Sequence, residues 1–386
     1  VQDCIDELRE AIDFCRYYAQ QAADDFSTPY AVVNHAGEHT QKRRVGRGVI
    51  VCISPWNFPL AIFLGQITAA LAAGNTVVAK PAEQTSLIAH RAIVLLHEAG
   101  VPVDVIHLVL GTGKEVGSVL THHPDIAGVV FTGSTQTAQH INRALAASNT
   151  DVIRPLIAET GGQNAMIVDS TALPEQVVRD VVRSAFASAG QRCSALRVLY
   201  VQEDVAERMV TLIKGSMAEL KVGDPVDHST DVGPVIDKTA QDKLNAHIAA
   251  MTQSAQLIAQ TQLPAACAQG TFVAPTAFEI KRMSELSEEQ FGPILHIIRY
   301  RAADLDQVID AINATGYGLT LGIHSRNEHT YQHIDARARV GNSYINRDQV
   351  GAVVGVQPFG GQGLSGTGPK AGGPRYLLRF THEVTA

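Results

Sequence analysis

Cysteine is scarce and scattered in this sequence, which argues against a disulfide framework and against a zinc site. The five cysteines are Cys4, Cys15, Cys52, Cys193 and Cys267, and none lies in a CxxC pair or at metal-ligand spacing from histidines. An odd number of widely separated thiols favours a reducing compartment. We therefore expect no metal and a cytoplasmic location.

Long apolar runs and an excess of one charge are also lacking. Charged residues make up 18% of the chain, and 31 basic against 38 acidic residues give a net charge of −7 without a basic stripe. This excludes nucleic acid as a main partner of this segment. No apolar run is long enough to span a bilayer. At 386 residues the chain is too long for one ordinary core, so we expect two or more domains.

The N-terminal stretch "VQDCIDELREAIDFCRYYAQQAADDF" starts with Val and follows a helical repeat from its first residue. It has neither the basic nor the apolar region of a signal peptide. We interpret it as a chain cut from a longer one, which enters in the middle of a helix.

Strand and helix patterns alternate along most of the chain. "GVIVCIS", "TVVAKP" and "VIHLVLG" read as buried strands, and apolar helical patterns separate them. Such alternation predicts βαβ units and parallel sheets. It runs to residue 160 and starts again after 161, so we predict two doubly wound α/β domains, formed by 1–27 with 47–160 and by 161–375. Residues 28–46 and 376–386 read as a small strand pair that docks on another subunit.

One cysteine stands out by its surroundings. "SAFASAGQRCSALRVLY" places Cys193 where a helix has ended and a strand has not begun, among small residues. A thiol attacks only as the thiolate and needs space around it. From this stretch alone, a packed thiol and a nucleophile both remain open.

Two further segments offer groups that a thiol nucleophile requires. In "IAETGGQNAMIV", Glu159 leaves an apolar strand into a Gly-Gly turn, where a carboxylate can activate water; a simple turn acid is the alternative. In "ISPWNFPLAIF", two prolines bracket Asn57, whose amide suits an oxyanion hole; capping of the next helix is the alternative.

A dinucleotide site is suggested by two strand ends. "VVAKPAEQTS" ends a strand with Lys80 and places Glu83 three residues on, a pair that suits a ribose or a phosphate. "VVFTGSTQTA" puts Gly133 and Ser134 at a helix N-terminus, where free N–H groups favour a pyrophosphate. "GTGKEVG" has the wrong final spacing for a dinucleotide fingerprint.

Seven segments in this order, "PWNFP", "KPAEQT", "FTGST", "ETGGQN", "GQRCSA", "EEQFGP" and "QPFGG", resemble the aldehyde dehydrogenase superfamily over essentially the whole chain. Longer stretches, among them "GAVVGVQPFGGQGLSGTGPKAGGP", are similar to one branch of bifunctional bacterial flavoenzymes. In that branch a proline dehydrogenase domain precedes an L-glutamate γ-semialdehyde dehydrogenase domain. By this resemblance the chain lacks the first part of the cofactor domain.

The resemblance implies roles for the catalytic candidates. Cys193 would add to the aldehyde carbon, and Asn57 with the backbone N–H of Cys193 would hold the oxyanion. Glu159 would activate the water that hydrolyses the thioester. The substrate implied is L-glutamate γ-semialdehyde, formed from 1-pyrroline-5-carboxylate, and the product is L-glutamate.

The resemblance also implies NAD as the cofactor. Lys80 and Glu83 match the adenosine-ribose ligands, and the carboxylate would repel the 2′-phosphate of NADP. Ser134 matches the pyrophosphate contact, with Gly133 beside it. Glu289 and Phe291, in "EEQFGP", match residues that hold the nicotinamide ribose. FAD would belong only to the absent proline dehydrogenase domain.

For the substrate, the resemblance points to a site for an amino-acid carboxylate. Gly351 and Ala352 match a loop that offers backbone N–H groups to it. Arg192 and Ser194, on either side of the nucleophile, would supply charge and a hydroxyl. The aliphatic part would lie between two rings, those of Phe186 and Phe359.

Two other functions remain open at this point. One is another semialdehyde dehydrogenase with the same catalytic residues. The other is an inactive NAD-binding fragment, because part of the cofactor domain is absent by the resemblance. The expected partners are a small aldehyde, a second copy in a homodimer or higher oligomer, and the proline dehydrogenase domain of the longer protein. Any peripheral membrane association would arise through that longer protein.

Overall fold

A computed structural model describes residues 1–32, 35–147 and 152–385. The chain forms two compact units. We call them the N-terminal unit (residues 2–160, 352–360 and from 367 onward) and the central unit (residues 161–351 and 361–366, together with Val1). Among the described residues, no helix combines the length and the apolar character needed to cross a membrane.

In the described part of the first 160 residues, five α-helices and seven strands belong to the N-terminal unit. The helices are α1 (Gln2–Phe26), α2 (Ala61–Ala72), α3 (Ser86–Glu98), α4 (Ser118–His122) and α5 (Thr135–Ala147). The strands are β1 (Tyr30–Ala31), β2 (Gln41–Gly46), β3 (Val49–Ile53), β4 (Thr76–Lys80), β5 (Ile106–Leu108), β6 (Ile126–Gly133) and β7 (Leu156–Thr160).

Five of these strands form one parallel sheet in the order β5-β4-β3-β6-β7. Its strands are apolar runs because helices cover both faces of a parallel sheet. Helix α2 is apolar nearly all round and is buried accordingly. Gly65 of α2 leaves room for the ring of Phe14 on α1, since a Cβ there would lie 3.0 Å from that ring.

The central unit contains the remaining helices and most of the remaining strands. Its helices are α6 (Pro174–Phe186), α7 (Glu203–Ala218), α8 (Lys238–Ser254), α9 (Leu305–Ala314) and α10 (Glu328–Arg337). Its strands are β8 (Ala165–Val168), β9 (Val198–Gln202), β10 (Gln256–Gln260), β11 (Thr276–Glu279), β12 (Ile294–Tyr300), β13 (Tyr317–Gly318), β14 (Thr320–His324), β15 (Asn342–Ile345) and β16 (Gln362–Gly363).

Seven strands of the central unit form a sheet in the order β10-β11-β12-β9-β8-β14-β15. All neighbours in it are parallel except β10, which runs antiparallel to β11 at the edge. Strands β13 and β16 pair separately. The predicted α/β class with parallel sheets is confirmed.

A last strand, β17 (Thr381–Thr385), joins β1 and β2 in a three-stranded antiparallel sheet. Part of the predicted hairpin, residues 33–34, lies outside the described residues. The predicted strand at 376–386 begins later than expected, because Leu377–Phe380 form a turn of 3₁₀ helix first. The role of this sheet in oligomerisation stays a prediction.

The two units differ from the predicted division at residues 352–360 and 367–375, which group with the N-terminal unit. Phe359 and Ala371 form an antiparallel bridge with each other. Thr367 is tied to β7, since its N–H donates to the carbonyl of Ala158 and its hydroxyl accepts the N–H of Ala158, each at 2.9 Å. Pairing with a strand some two hundred residues away leaves no local sequence pattern.

Asn75 ties three segments of the N-terminal unit together and is 5% exposed. Its side-chain oxygen accepts the N–H groups of Arg47 (2.6 Å) and Gly48 (3.1 Å). Its amide nitrogen donates to the carbonyls of Ala70 (2.9 Å) and Phe380 (3.1 Å). Four hydrogen bonds are all that one carboxamide commonly makes, so the group is fully satisfied.

We therefore expect Asn75→Leu to lower the free energy of unfolding of the N-terminal unit by about 2–4 kcal/mol, because four buried backbone groups lose their partner. Urea unfolding followed by the fluorescence of Trp56, the chain's one tryptophan, measures the effect. Asn142→Leu, at an exposed position of α5, is the matched control. Equal unfolding midpoints for the two variants would contradict the role given to Asn75.

Candidate active site

Cys193 lies on a loop between α6 and β9, as the sequence predicts, and is partly exposed. The loop begins with three residues of positive φ: Ser188 (54°), Ala189 (53°) and Gly190 (67°). The two non-glycine residues store strain of about 1–2 kcal/mol each. Only glycine fits at position 190, because a Cβ there would lie 2.2 Å from the carbonyl oxygen of Gly292. Strained backbone of this kind needs surrounding groups that hold it.

The largest of these groups is Arg197, which is 2% exposed. Its Nη1 donates to the carbonyls of Gly190 (2.7 Å) and Gly292 (3.3 Å). Its Nη2 donates to the carbonyl of Arg192 (3.0 Å) and to Oε1 of Glu289 (3.1 Å), and its Nε donates to the same Oε1 (3.3 Å). These contacts use all five N–H donors of a guanidinium.

Three buried polar side chains hold the loop on its other side. The amide of Asn164 donates to the carbonyls of Cys193 (2.6 Å) and Ala195 (3.0 Å). The carbonyl of Ser194 accepts from the hydroxyl of Thr320 (3.2 Å) and from the amide of Gln349 (3.1 Å). The carbonyls of three consecutive residues, 193 to 195, are thus bound by side chains from three distant segments.

Glu289 sits against the Gly161-Gly162 turn that the sequence singled out. Its Oε2 accepts the N–H of Gly162 at 3.1 Å, and a Cβ on Gly161 would lie 1.9 Å from the same oxygen. Burial raises the pKa of Glu289 above its ordinary value, while Arg197 and Gly162 oppose that rise. The ring of Phe291 packs on the guanidinium of Arg197, 5.2 Å from centroid to Cζ. The nicotinamide-ribose role of Glu289 and Phe291 stays a prediction.

Buried His296 and half-buried His247 form a pair next to Arg197. The backbone N–H of His296 donates to the carbonyl of Arg197 at 2.9 Å, and its Nδ1 lies 3.2 Å from the same oxygen. Its Nε2 lies 3.0 Å from Nε2 of His247. Burial, with smaller contributions from His247 and Arg197, lowers the pKa of His296 to about 3. His296 is therefore neutral at physiological pH.

The substrate candidates of the central unit fall into different surroundings. Arg192 donates from Nη1 to the carbonyl of Val350 (2.9 Å) and from Nε to the hydroxyl of Ser188 (3.0 Å). It therefore links the nucleophile loop to the residue before Gly351. Ser194 is 7% exposed. The ring of Phe186 is 1% exposed inside the apolar core, so burial does not favour its predicted contact with substrate.

Glu159 lies near the end of β7, as predicted, in the N-terminal unit. It is 9% exposed and adjoins Gly360, where a Cβ would lie 2.8 Å from Glu159 Oε1 and 3.1 Å from the Cα of Lys370. Burial lowers the pKa of the Lys370 ammonium, and the charge of Glu159 opposes this. Lys370 thus lies beside the proposed general base. Ala352 and Phe359, the other substrate candidates, belong to the same unit.

Asn57 lies in the loop between β3 and α2 and is partly buried. The carboxylate of Glu7 on α1 caps the N-terminus of α2, where this loop ends. Its Oε1 accepts the N–H groups of Leu60 (2.7 Å) and Ala61 (3.2 Å). A cap supplied by a distant helix holds the end of the Asn57 loop in one conformation.

A cavity of about 590 Å³ opens in the N-terminal unit beside Lys80, which lines it together with Ser118, Thr137 and Arg143. Lys80 Nζ lies 3.4 Å from Oε1 of Glu83, which also accepts the N–H of Gly113 at 2.8 Å. Burial alone would raise the pKa of Glu83, but hydrogen bonds from its own N–H and from Gly113, with the charge of Lys80, lower it overall. Glu83 is therefore ionised at neutral pH.

Ser134 caps helix α5, since its hydroxyl oxygen accepts the N–H of Thr137 at 3.2 Å. Gly133 precedes it, and a Cβ there would lie 2.5 Å from the ring of Phe131. The cavity, the capped helix N-terminus and the Lys80–Glu83 pair together fit a dinucleotide with an unmodified ribose. Among the described residues, no group of three His, Cys, Asp or Glu side chains has the arrangement of a metal site.

The structure divides the predicted residues between the two units. The central unit holds Cys193, Ser194, Arg192, Phe186, Glu289, Phe291 and Gly351, and the N-terminal unit holds Glu159, Asn57, Lys80, Glu83, Gly133, Ser134, Ala352 and Phe359. Four polar residues that hold the nucleophile loop are not identified from the sequence, namely Arg197, Asn164, Thr320 and Gln349. For Arg197 a signal exists, because an arginine next to the apolar run "VLYV" must have buried partners.

Comparisons with known proteins identify the family of the chain. A model of the aldehyde dehydrogenase family matches residues 1–386. The bifunctional protein PutA of Klebsiella aerogenes is 53% identical over 385 residues, which are 98% of this chain and 28% of that protein. A crystal structure of a proline utilization A (PutA) mutant from Bradyrhizobium japonicum has a TM-score of 0.97 at 60% identity, covering 100% of this chain and 39% of that one.

A 1-pyrroline-5-carboxylate dehydrogenase from Thermus with bound NAD has a TM-score of 0.94 at 36% identity, covering 99% of this chain and 74% of that one. The chain spans only 28 to 30% of the length of the PutA proteins that it matches.

The low pKa of His296 predicts a loss of stability in acid. Its folded pKa of about 3 lies below the value near 6.5 of an unfolded histidine, so its contribution is complete above about pH 6.5 and is lost as pH falls. Between pH 7 and pH 4 we expect this group to remove roughly 3 kcal/mol from the free energy of unfolding. Urea titrations followed by circular dichroism at both pH values measure it.

His296→Phe should flatten this pH dependence, because the unfolded variant takes up one proton fewer. Exposed His329 provides the control, and His329→Phe should keep the original slope. If His296→Phe leaves the slope of the free energy of unfolding against pH unchanged, the assignment of the acid instability to His296 is wrong.

Proposed function

Because this chain belongs to the aldehyde dehydrogenase family, we propose that it oxidises L-glutamate γ-semialdehyde, formed from 1-pyrroline-5-carboxylate, to L-glutamate with NAD. Its similarity to PutA proteins and to 1-pyrroline-5-carboxylate dehydrogenases supports this substrate. NAD bound to the Thermus relative supports the cofactor. The observation that carries the proposal is the Cys193 loop, whose carbonyls are bound by buried side chains on both sides.

In this proposal Cys193 acts first. Its thiolate adds to the aldehyde carbon, and the charge that develops on the oxygen is held by the backbone N–H of Cys193 and the side-chain amide of Asn57. NAD, when bound, supplies the acceptor for the hydride that leaves the resulting thiohemiacetal carbon. The nucleophile then carries a thioester.

Glu159 acts in the second half of the reaction. Its carboxylate takes a proton from the water that attacks the thioester, and the bond to sulfur breaks to release the glutamate product. Lys370 lies beside Glu159, and the charge of this carboxylate opposes the lowering of the Lys370 pKa by burial.

The remaining site residues bind and orient the cofactor and the substrate. Glu83 and Lys80 would hold the adenosine ribose, Ser134 and Gly133 the pyrophosphate, and Glu289 with Phe291 the nicotinamide ribose. The backbone N–H groups of Gly351 and Ala352 would hold the amino-acid carboxylate of the substrate. The contact of Arg192 with the Val350 carbonyl supports a role in positioning that loop.

We also propose that the chain works as part of a longer protein that carries a proline dehydrogenase domain, where FAD would bind. The sheet β1-β2-β17 would join two copies into a homodimer or a higher oligomer.

Mixing the folded chain with NAD and L-glutamate γ-semialdehyde tests the chemistry through NADH absorbance. Cys193→Ala should abolish NADH formation. Glu159→Gln should give one burst of NADH per site and then a steady-state rate about 10²- to 10⁴-fold lower, because the thioester accumulates. Cys4→Ala, at an exposed position of α1, is the control that should keep full turnover.

Other outcomes of the same experiment discriminate between functions. Equal or faster oxidation of succinate semialdehyde would identify another semialdehyde dehydrogenase. NAD binding without any NADH from the unmodified chain would identify a binding module and refute the catalytic proposal.

The ionised Glu83 predicts the choice of cofactor. A 2′-phosphate beside this carboxylate is repelled, so Glu83→Gln should lower the ratio of kcat/KM with NAD to that with NADP by at least about tenfold. Glu98→Gln, at an exposed residue paired with Arg91, should leave the ratio unchanged. If Glu83→Gln leaves the ratio of the two kcat/KM values unchanged, the assignment of Glu83 to the ribose site is refuted.

A further inference from the structure

The carbonyl of Arg192 is held by two donors in the central unit. It accepts the Nη2 proton of Arg197 at 3.0 Å and the N–H of Ala195 at 3.0 Å. This carbonyl belongs to the peptide that joins Arg192 to Cys193, and that peptide is trans. In a planar trans peptide, the C=O and the N–H point in opposite directions. Holding the Arg192 oxygen therefore fixes the direction of the Cys193 N–H.

We propose that Arg197 is a positioning residue, which orients the backbone N–H of Cys193 toward the oxyanion. The loop 289–292 controls this orientation through its contacts with the same guanidinium. The proposal rests on the proposed function for the identity of the oxyanion donor. A preorganised donor is worth most when its direction is fixed before charge develops, because no reorganisation is then needed during reaction.

The second half of the proposal follows from what else the guanidinium contacts. Two of its five N–H donors go to Glu289 and one to the carbonyl of Gly292, while the ring of Phe291 lies on its face. The guanidinium is rigid and planar, so a shift of loop 289–292 turns its donors toward or away from the carbonyls of Gly190 and Arg192. A lysine has no such fixed fork and cannot couple the two loops in this way.

Two reactions of Cys193 that need no NAD distinguish the two possible roles of Arg197. One role is to orient the oxyanion donor, and the other is only to support the structure of the loop. In acylation by p-nitrophenyl acetate, the thiolate adds to the ester carbonyl, an oxyanion forms, and p-nitrophenolate leaves. In alkylation by iodoacetamide, the thiolate displaces iodide and no oxyanion forms. A residue that only supports the loop or the thiol affects both rates alike. A residue that aims the oxyanion donor affects acylation alone.

We expect Arg197→Lys to slow acylation of Cys193 by about 10²-fold, the effect of losing one oxyanion-hole donor, and to leave alkylation nearly unchanged. Equal losses in both rates, or no loss in either, would overturn the proposal. Arg154→Lys replaces another buried arginine, which donates to the carbonyl of His123 in the N-terminal unit. It is the matched control and should change neither rate.

Arg197→Lys can fail to fold, because Oε1 of Glu289 loses its two guanidinium donors. The double substitution Arg197→Met with Glu289→Leu then carries the test, since replacing both members of a buried ion pair by apolar residues is commonly tolerated. It should show the same selective loss of acylation. Thermal unfolding of each variant establishes that it is folded.

The second half has its own readout. Phe291→Leu keeps every hydrogen bond of Arg197 but removes the ring from its face, so acylation should slow more than alkylation. An acylation rate equal to that of the unmodified chain would overturn the coupling. If the unmodified Cys193 acylates no faster than a free thiol, the oxyanion donor itself is refuted. If it acylates fast but forms no NADH from the aldehyde, the proposed function fails and the positioning role stands.

Discussion

One buried guanidinium organises the central unit around its nucleophile. Arg197 is taken out of water almost completely, which is costly for a charge unless every donor finds an acceptor. Its partners are one carboxylate and the carbonyls of three residues, all on two loops that have no regular secondary structure. The positive-φ turn before Cys193 persists because these bonds hold it. Removing the charge would leave both loops without their common anchor.

Much of the site follows from the sequence where local pattern and chemistry coincide. The helical spacing before Cys193 and the apolar run after it fix the loop on which the thiol lies. Glu159 is found in the same way, because an acid followed by two glycines marks the end of a strand. Gly161 itself has a different cause, since it makes room for the carboxylate of Glu289, more than a hundred residues away.

The rest depends on contacts between residues far apart in the chain. Asn164, Thr320 and Gln349 come from three separate segments, and only the folded sheet brings their donors to the carbonyls of one loop. The division into units fails at residues 352–360 and 367–375 for the same reason. These segments are short and irregular, and their partners, including β7, are set by tertiary structure. The substrate contact of Phe186 is implied by the family resemblance and stays a prediction, whereas the helix places its ring in the apolar core.

The composition of the N-terminal unit has a consequence for how the protein is made. Strand β17 and the residues from 367 onward are synthesised after the whole stretch 161–351 of the central unit, yet they complete a unit whose sheet comes from the first 160 residues. Asn75 cannot make its bond to Phe380 until that late segment has left the ribosome. Domains usually fold in the order of synthesis. Here the central unit can close its core first, while residues 2–160 wait for the segment from 367 onward.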